Sequence, residues 1–294
     1  MTIYVVDAFT TEPFRGNPAG VCILEEERTD SWKQGLAREL NHPETAFIRR
    51  ETRGYELRWF TPSVEVPLCG HATLAGAHIL STVYDVTGRI DFQTRYSGTL
   101  TATVTDDAIS LDFPALLSQP VAGTVAPEAG ALDSHSGGST NAPAAAGSAD
   151  LRALETISRL LKTKPEEVFI HRGAQENFYL ARLGSTAEVR ELDLDAQALS
   201  SGGVGQLIVT AGDQTGEYDF VSRFFAPGFG IDEDPVTGAA HCVLAPYWSR
   251  YLGERPFRAY QASRRGGEVS CEFRDGRVRL GGKAVTVLQA ELFT

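Results

Sequence analysis

The sequence predicts an α+β fold made of two similar halves, each with a buried helix wrapped by strands. The same order of features occurs twice, at 58–80 and at 223–248. Each block has a strand-like segment, then a loop with proline, a cluster of small residues and an apolar run. Both apolar runs are nearly uncharged, and a helix without a polar face has to be buried on all sides. The rest of the chain is typical of short strands separated by turns. A repeat of about half the chain indicates two related domains and not a solenoid.

The first half begins with two strands that flank a loop rich in turn-forming residues. Thr29 or Asp30 can cap a helix that ends near Leu40, and Pro43 then breaks the chain before a further strand. The apolar run after Gly70 is the buried helix of this half. The predicted strands of the first half lie near 3–8, 19–24, 44–48, 55–60, 89–94, 99–104 and 109–113.

The second half is predicted to follow a flexible linker at 118–149. This segment contains no lysine, arginine or aromatic residue, so it cannot bury enough apolar surface to offset the entropy lost on ordering. The domains are therefore predicted at 1–117 and 150–294, with the option that a last strand near 284–293 returns to the first half. Helices are predicted at 151–161 and after Asp193 or Asp195, and strands near 168–171, 177–182, 206–210, 217–225, 257–261, 267–273, 277–280 and 284–292.

Composition excludes several classes of function. The formal net charge of −11 argues against binding to nucleic acids or anionic membranes, and neither apolar run is long enough to span a bilayer. Four cysteines without a CxxC pair are typical of a reduced intracellular protein, and no signal-peptide pattern is visible, so a cytoplasmic location is expected. No GxGxxG or Walker A pattern occurs, so no nucleotide cofactor is expected.

The starts of the two apolar helices are the predicted binding site. Gly70 and Gly238 each open one helix, where free backbone N–H groups and the helix dipole favour an anion. Two such helix starts could hold one carboxylate in the cleft between the halves. The alternative is that both glycines only serve tight turns.

Three side chains are candidates for chemistry at this cleft. Glu44 follows Pro43 and precedes an apolar stretch, and a carboxyl group against an apolar wall has a raised pKa that suits proton exchange near neutral pH. His71 could relay a proton or donate to a substrate oxygen, and Asp234 could orient the ligand or hold its amino group. The alternatives are an exposed loop glutamate, a capping or core histidine and a capping aspartate.

Cys69 is a second candidate base, because the start of a helix can lower the pKa of a thiol. A racemase with two thiols would need cysteine in both halves, but Thr237 stands at the corresponding position. No HExxH, CxxC or complete EF-hand pattern occurs, so no metal site is expected.

Five motifs together resemble the PhzF-like family, named for the isomerase of phenazine biosynthesis. Their order and spacing cover nearly the whole chain apart from 118–149. The motifs are Asp7-Ala8-Phe9-Thr10, Gly16-Asn17-Pro18-Ala19-Gly20, Asn41-His42-Pro43-Glu44-Thr45, Cys69-Gly70-His71-Ala72-Thr73 and Glu233-Asp234-Pro235-Val236-Thr237-Gly238.

The resemblance implies a diaminopimelate epimerase-like fold, with two strand-rich barrels that each surround a helix and an active site between them. It also implies isomerisation by proton transfer without a cofactor, and a homodimer. Glu44 matches the family's catalytic glutamate, while His71 and Asp234 match residues that bind substrate or assist the transfer. The substrate-binding positions that it implies are Asn17, Gly70, Gly238 and Ala239.

One departure from the family pattern concerns the substrate. Ala239 stands where phenazine-type members have a serine, so a hydroxyl group that would contact the substrate is absent. The backbone N–H of this residue remains. The departure argues against the phenazine precursor more than against the type of reaction.

The main hypothesis is a cofactor-independent isomerase that moves a proton on a small cyclic or amino carboxylic acid, with Glu44 as general acid and base. One alternative is an amino-acid racemase or epimerase that uses Cys69. Another, suggested by the missing hydroxyl at Ala239, is a binding or regulatory protein that kept the pocket and lost the chemistry.

Overall fold

The computed structural model describes residues 1–106, 108–121, 148–173 and 177–293. All strands of this part of the chain belong to one hydrogen-bonded sheet of 18 strands. The elements up to the first gap of several residues are β1 (Thr2–Ala8), β2 (Asn17–Leu24), α1 (Asp30–Leu40), β3 (Glu44–Arg50), β4 (Tyr55–Phe60), β5 (Glu65–Val66), α2 (Gly70–Tyr84), β6 (Gly88–Thr94), β7 (Thr99–Val104), β8 (Ile109–Pro114) and β9 (Gln119–Pro120).

The elements after that gap form a second series. They are α3 (Ser148–Leu161), β10 (Glu167–Arg172), β11 (Asn177–Arg182), α4 (Thr186–Glu191), α5 (Ala196–Ser201), β12 (Leu207–Gly212), β13 (Phe220–Ala226), a 3₁₀ turn (Pro227–Phe229), β14 (Ile231–Asp234), α6 (Gly238–Leu252), β15 (Phe257–Gln261), β16 (Gly267–Arg274), β17 (Arg277–Gly282) and β18 (Ala284–Glu291).

Strand pairing follows the same order in both series. In the first, β1 pairs antiparallel with β2, β2 parallel with β3, and β3 antiparallel with β4. Strand β4 then pairs antiparallel with β5 and parallel with β6, and β6 continues antiparallel into β7 and β8. The pairings from β10 to β17 repeat this order, with β14 in the place of β5.

An arginine–glutamate ion pair also occupies the same place in both series. Nε of Arg58 in β4 lies 2.7 Å from Oε1 of Glu65 in β5. Nε of Arg223 in β13 likewise lies 2.7 Å from Oε1 of Glu233 in β14. Each guanidinium group also lies over the ring of the phenylalanine two residues further along the chain.

Three pairings join the two series. Strand β8 pairs with β17, so the last complete strands of the two series are neighbours. Each series then ends in a strand that crosses to the first strand of the other, because β9 pairs with β10 and β18 pairs with β1. The strand predicted near 284–293 is therefore β18, and it lies beside the first strand of the chain.

The helices α2 and α6 lie within the largest hydrophobic core. Helix α2 packs against β1, β2, β3, β7, β8 and β18, and α6 packs against β16 and β17. This core is continuous between the two series, since Leu74 and Phe113 belong to the same cluster as Val243 and Leu280. Two smaller cores lie under α3 and α1, around Ile157 and Leu36 respectively.

Pro246 lies inside α6, where it cannot donate the hydrogen bond that an α-helix normally forms. The carbonyl oxygen left without this donor is that of Cys242. It accepts instead a hydrogen bond of 3.0 Å from the backbone N–H of Leu116, in the segment that follows β8. The proline is thus accommodated at a contact between the two series.

Most predicted helices and strands are present within two or three residues of their expected ends. Thr29 caps α1 and Asp195 caps α5, each by accepting a bond from a backbone N–H three residues on. The short elements α4, β5, β9 and β14 were not predicted. The predicted linker overlaps β9 and the start of α3, and its residues 122–147 lie outside the described residues. Within the described residues, no helix is both long enough and apolar enough to cross a bilayer.

Candidate active site between the two helix starts

The first residues of α2 and α6 meet backbone to backbone. A Cβ atom added to Gly70 would lie 3.6 Å from the Cα of Gly238. Neither helix has an acidic residue in its first turn, and the hydroxyl of Thr237 donates to Oδ2 of Asp234 at 2.5 Å instead of capping its own helix. The first N–H groups of a helix have no partner within it, so two adjacent helix starts favour an anion at this place.

Asn17 joins the residues of the two series at this site. Its Nδ2 donates to Oδ1 of Asp234 and to the carbonyl oxygen of Val236, both at 2.9 Å. The same nitrogen lies 3.3 Å from Nδ1 of His71. Asn17 begins β2 and is completely buried, so its amide is a fixed link between β2, α2 and the segment before α6.

Glu44, His71 and Cys69 form a compact group beside this link. Glu44 begins β3, and its Oε2 lies 3.2 Å from Nε2 of His71. Sγ of Cys69 lies 3.5 Å from Nδ1 of His71. The side chain of Glu44 keeps 20% of its surface exposed, against 7% for His71, so the carboxyl group is the member most open to a ligand.

The environment of Glu44 opposes its ionisation. Burial, and to a lesser extent the negative charge of Asp234, together raise the pKa of Glu44 to about 8. A hydrogen bond from the thiol of Cys69 acts in the opposite direction, since it stabilises the carboxylate. A carboxyl group with such a pKa can both donate and accept a proton near neutral pH.

Asp234 ionises more readily than Glu44. Burial raises the pKa of Asp234 to about 6, while the hydrogen bonds from Thr237 and Asn17 oppose this increase. Gln261 holds the surrounding backbone, because its Nε2 donates to the carbonyl oxygen of Asp234 at 2.8 Å and its Oε1 accepts from the N–H of Thr237 at 2.9 Å. The two acids therefore titrate in different ranges, which suits one neutral acid and one carboxylate at the same site.

His71 and Cys69 are both uncharged at neutral pH. Burial lowers the pKa of His71 to about 3, so the imidazole is neutral and can donate or accept a hydrogen bond without adding charge. Burial and the neighbouring Glu44 raise the pKa of Cys69 well above its ordinary value of 9.0. The thiol is therefore not a base at neutral pH, contrary to the lowering expected at a helix start.

The structure brings most of the predicted site residues together. Asn17, Glu44, His71, Asp234, Gly70 and Gly238 lie around one place. Ala239 lies in the first turn of α6 and is exposed. Gln261 was not among the predicted site residues. It occupies an inward position of β15, whose buried and more exposed residues alternate, so a polar residue in an apolar alternation was the available signal.

One group of described residues combines side chains that can bind a metal ion. Glu44, Cys69 and His71 each place one ligand-type atom within 4.8 Å of the others. The absence of a metal site stays a prediction.

Comparison with known proteins relates the chain to one family. The model of the phenazine biosynthesis-like protein family (PhzC-PhzF) matches residues 6–290. An uncharacterized isomerase of Halalkalibacterium halodurans is 42% identical over 292 residues, which cover 99% of this chain and 97% of that protein.

Solved structures extend the comparison to the fold. A PhzF family protein of Enterococcus faecalis has a TM-score of 0.82 at 35% identity, with 100% of this chain and 99% of that chain covered. A probable proline racemase of Agrobacterium radiobacter has a TM-score of 0.59 at 11% identity, over 99% and 92% of the two chains, which shows a common fold only. The strand-rich mixture of helices and strands is thus the fold of these proteins, and the chain belongs to the phenazine biosynthesis-like (PhzC-PhzF) family.

Proposed function

We propose that the protein is an isomerase that moves a proton between two carbon atoms of a small carboxylic acid without a cofactor. The name of the Halalkalibacterium halodurans relative supports the class of reaction, at 42% identity over nearly the whole chain. The single observation that carries the proposed mechanism is the position of Glu44. Its carboxyl group has a raised pKa and lies 3.2 Å from His71 in the first turn of α2, whose start meets that of α6.

In this proposal the two series of strands act as two barrel-like domains with the substrate in the cleft between them. The identical order of pairing in both series supports this division of the chain. The substrate carboxylate lies at the starts of α2 and α6, where the N–H groups of Gly70, Gly238 and Ala239 are its donors. Asp234 and Asn17 orient the rest of the molecule.

The proton transfer takes two steps. Ionised Glu44 removes a proton from a carbon of the substrate, and the C–H electron pair moves into the conjugated system that ends in the carboxylate. The helix starts stabilise the negative charge that develops there, since their dipoles are already oriented. Protonated Glu44 then donates the proton to a second carbon, which restores both the carboxylate and the neutral double-bond system. Neutral His71 can hydrogen-bond to the substrate throughout.

The test is solvent exchange in ²H₂O, followed by NMR on a panel of small cyclic and unsaturated amino acids. Wild-type protein is expected to introduce deuterium at carbon into at least one of them. Glu44→Gln keeps the shape but cannot accept the proton, so exchange should fall at least about 100-fold. Glu39→Gln, an exposed position in α1, is the matched control and should exchange like wild type. Equal exchange by wild type and Glu44→Gln would exclude Glu44 as the acid and base.

The two alternatives make different predictions in the same experiment. A racemase that uses Cys69 requires a thiolate, which the raised pKa of this thiol disfavours, and full activity of Cys69→Ala would remove it. A protein that only binds its ligand would show no exchange with any member of the panel. A homodimer stays a prediction from family resemblance, which light scattering would test.

A further inference from the structure

The group formed by Glu44, Cys69 and His71 has the spacing of a metal site. One ligand-type atom from each lies within 4.8 Å of the other two. Oε2 of Glu44 lies 3.2 Å from Nε2 of His71, the ring nitrogen that would bind the ion, whereas the 3.5 Å contact of the Cys69 Sγ is with Nδ1, the other ring nitrogen. In a tetrahedral zinc site with bonds of about 2.0–2.3 Å, neighbouring ligand atoms lie about 3.3–3.8 Å apart. The Glu44–His71 distance is close to this spacing, and the thiol of Cys69 has to turn from Nδ1 toward Nε2 to complete the set.

A second observation is that the imidazole of His71 has an unused nitrogen in this group. Nε2 is buried without a hydrogen-bond partner, since its contact with Glu44 lacks hydrogen-bond geometry. The whole residue is only 6% exposed. A buried polar atom without a partner costs free energy, and coordination of a cation would remove that cost.

We infer that Glu44, Cys69 and His71 form a binding site for one zinc ion, with water as the fourth ligand. The set of one oxygen, one sulfur and one nitrogen atom matches the ligands of zinc, whereas calcium and magnesium require oxygen ligands. The residues are placed by regular elements, because Glu44 begins β3 while Cys69 and His71 flank the start of α2. On binding, the thiol of Cys69 and the protonated carboxyl group of Glu44 release their protons to solvent, and the resulting thiolate and carboxylate coordinate the ion together with neutral His71.

Zinc at this site would be an inhibitor and not a cofactor. The carboxylate of Glu44 coordinates the ion, so that this group can no longer take a proton from a substrate carbon. This consequence rests on the proposed function, whereas the binding itself does not. Binding without inhibition would leave the zinc site standing and remove the role of Glu44.

The experiment uses cobalt as a spectroscopic probe for zinc in the purified full chain. One equivalent of Co²⁺ should give a thiolate-to-cobalt charge-transfer band in the near ultraviolet, and Zn²⁺ should abolish it by displacement. Cys69→Ala should lose the band and bind Zn²⁺ at least tenfold more weakly by calorimetry. Cys242→Ala removes a different buried thiol, in α6, and should keep both the band and the affinity.

Two outcomes would overturn the zinc site. One is the absence of a thiolate band in wild type, which would also identify any bound cobalt as an adventitious ion on a surface histidine. The other is a band that persists in Cys69→Ala. Circular dichroism verifies that each variant is folded. If Cys69→Ala does not fold, His71→Gln makes the same test, because it should weaken Zn²⁺ binding at least tenfold while the thiol remains.

Discussion

The two acids of the site come from positions that are not equivalent in the duplicated pattern of strands. Glu44 begins β3, and the corresponding strand β12 begins with Leu207. Asp234 ends β14, and the corresponding strand β5 ends with Val66. Each acid therefore has an apolar counterpart in the other half. A repeated order of strand pairing thus carries an asymmetric pair of acids, one from each series.

Replacement of Glu44 by glutamine should stabilise the protein at alkaline pH. The folded protein keeps the proton of Glu44 up to a pKa of about 8, while the unfolded chain loses it near the ordinary value of 4.5. Between these values the folded state binds more protons, so the wild-type free energy of unfolding falls as pH rises. The stability of Glu44→Gln relative to wild type should increase by on the order of 3 kcal/mol between pH 5 and pH 9.

Urea unfolding at a series of pH values measures this difference. Glu39→Gln is the control, because an exposed glutamate should give a stability difference from wild type that does not change over this range. A constant difference for Glu44→Gln would mean that the carboxyl group is not held in its protonated form by the fold.

The sequence indicates the acid at Glu44 but not the residues that hold the site together. Pro43 and the apolar stretch after Glu44 are local, so their effect on the carboxyl group could be inferred. The bonds from Asn17 to Asp234 and from Gln261 to Thr237 join residues 217 and 24 positions apart. Such contacts depend on strand pairing, which no local pattern encodes.

At the scale of elements, the contact between α2 and α6 does not by itself require glycine at the start of either helix. A Cβ atom at Gly70 would meet nothing closer than 3.6 Å, and one at Gly238 nothing closer than 3.4 Å. Packing within the protein would therefore tolerate alanine at either position. The glycines leave backbone N–H groups accessible, which favours their role in the approach of a ligand over a role in tight packing.

Proline at position 238 tests the anion site of α6. Proline is tolerated at the first residue of a helix, and Thr237 has the extended backbone, φ −118° and ψ 111°, that a residue before proline prefers. Gly238→Pro removes one N–H donor, so a small cyclic carboxylate should bind about tenfold more weakly. Gly238→Ala keeps the donor and is the control. Ligand-induced thermal stabilisation measures both, and equal stabilisation of the two variants would contradict an anion held by this N–H.

The prediction of helices and strands was correct where the sequence pattern is long. Helices α2 and α6 have 15 residues each and were recognised from their apolar composition. Strands β5 and β9 have two residues each, β14 has four and α4 has six. Segments of this length are too short to show a period, and they form because a neighbouring strand or helix supplies their hydrogen bonds.

At the scale of the whole molecule, the two halves exchange strands. The β8–β17 and β1–β18 ladders join them. An ion pair also links them, since Nη2 of Arg265 lies 2.7 Å from Oδ1 of Asp7 in β1. The main hydrophobic core also contains residues of both halves. Removal of either half would therefore expose strand edges and apolar surface of the other.

The two halves should unfold in one cooperative transition, because their sheet and core are continuous. Two variants with a single tryptophan report on them separately. The first carries Trp32→Phe and Trp248→Phe, so that only Trp59 in β4 remains. The second carries Trp32→Phe and Trp59→Phe, so that only Trp248 in α6 remains. In each variant the fluorescence midpoint in urea should equal the circular dichroism midpoint. A fluorescence transition that precedes the loss of secondary structure in either variant would indicate halves that unfold independently.

A repeat was predicted from the blocks at 58–80 and 223–248, and the order of strand pairing does repeat in the two series. The exchange of strands between the halves was predicted only as an option for the last strand. A strand pattern identifies a strand but not its partner, because hydrogen bonding between backbones does not depend on sequence.

Titration of the Glu44 carboxyl group tests the central claim most directly. In ¹³C NMR, the carboxyl resonance of Glu44, assigned from its absence in Glu44→Gln, should titrate with an apparent pKa of about 8. Asp234→Asn removes the neighbouring negative charge and should lower this pKa. An apparent pKa near the ordinary 4.5 that does not change in Asp234→Asn would contradict a proton carrier held opposite a second acid in the cleft.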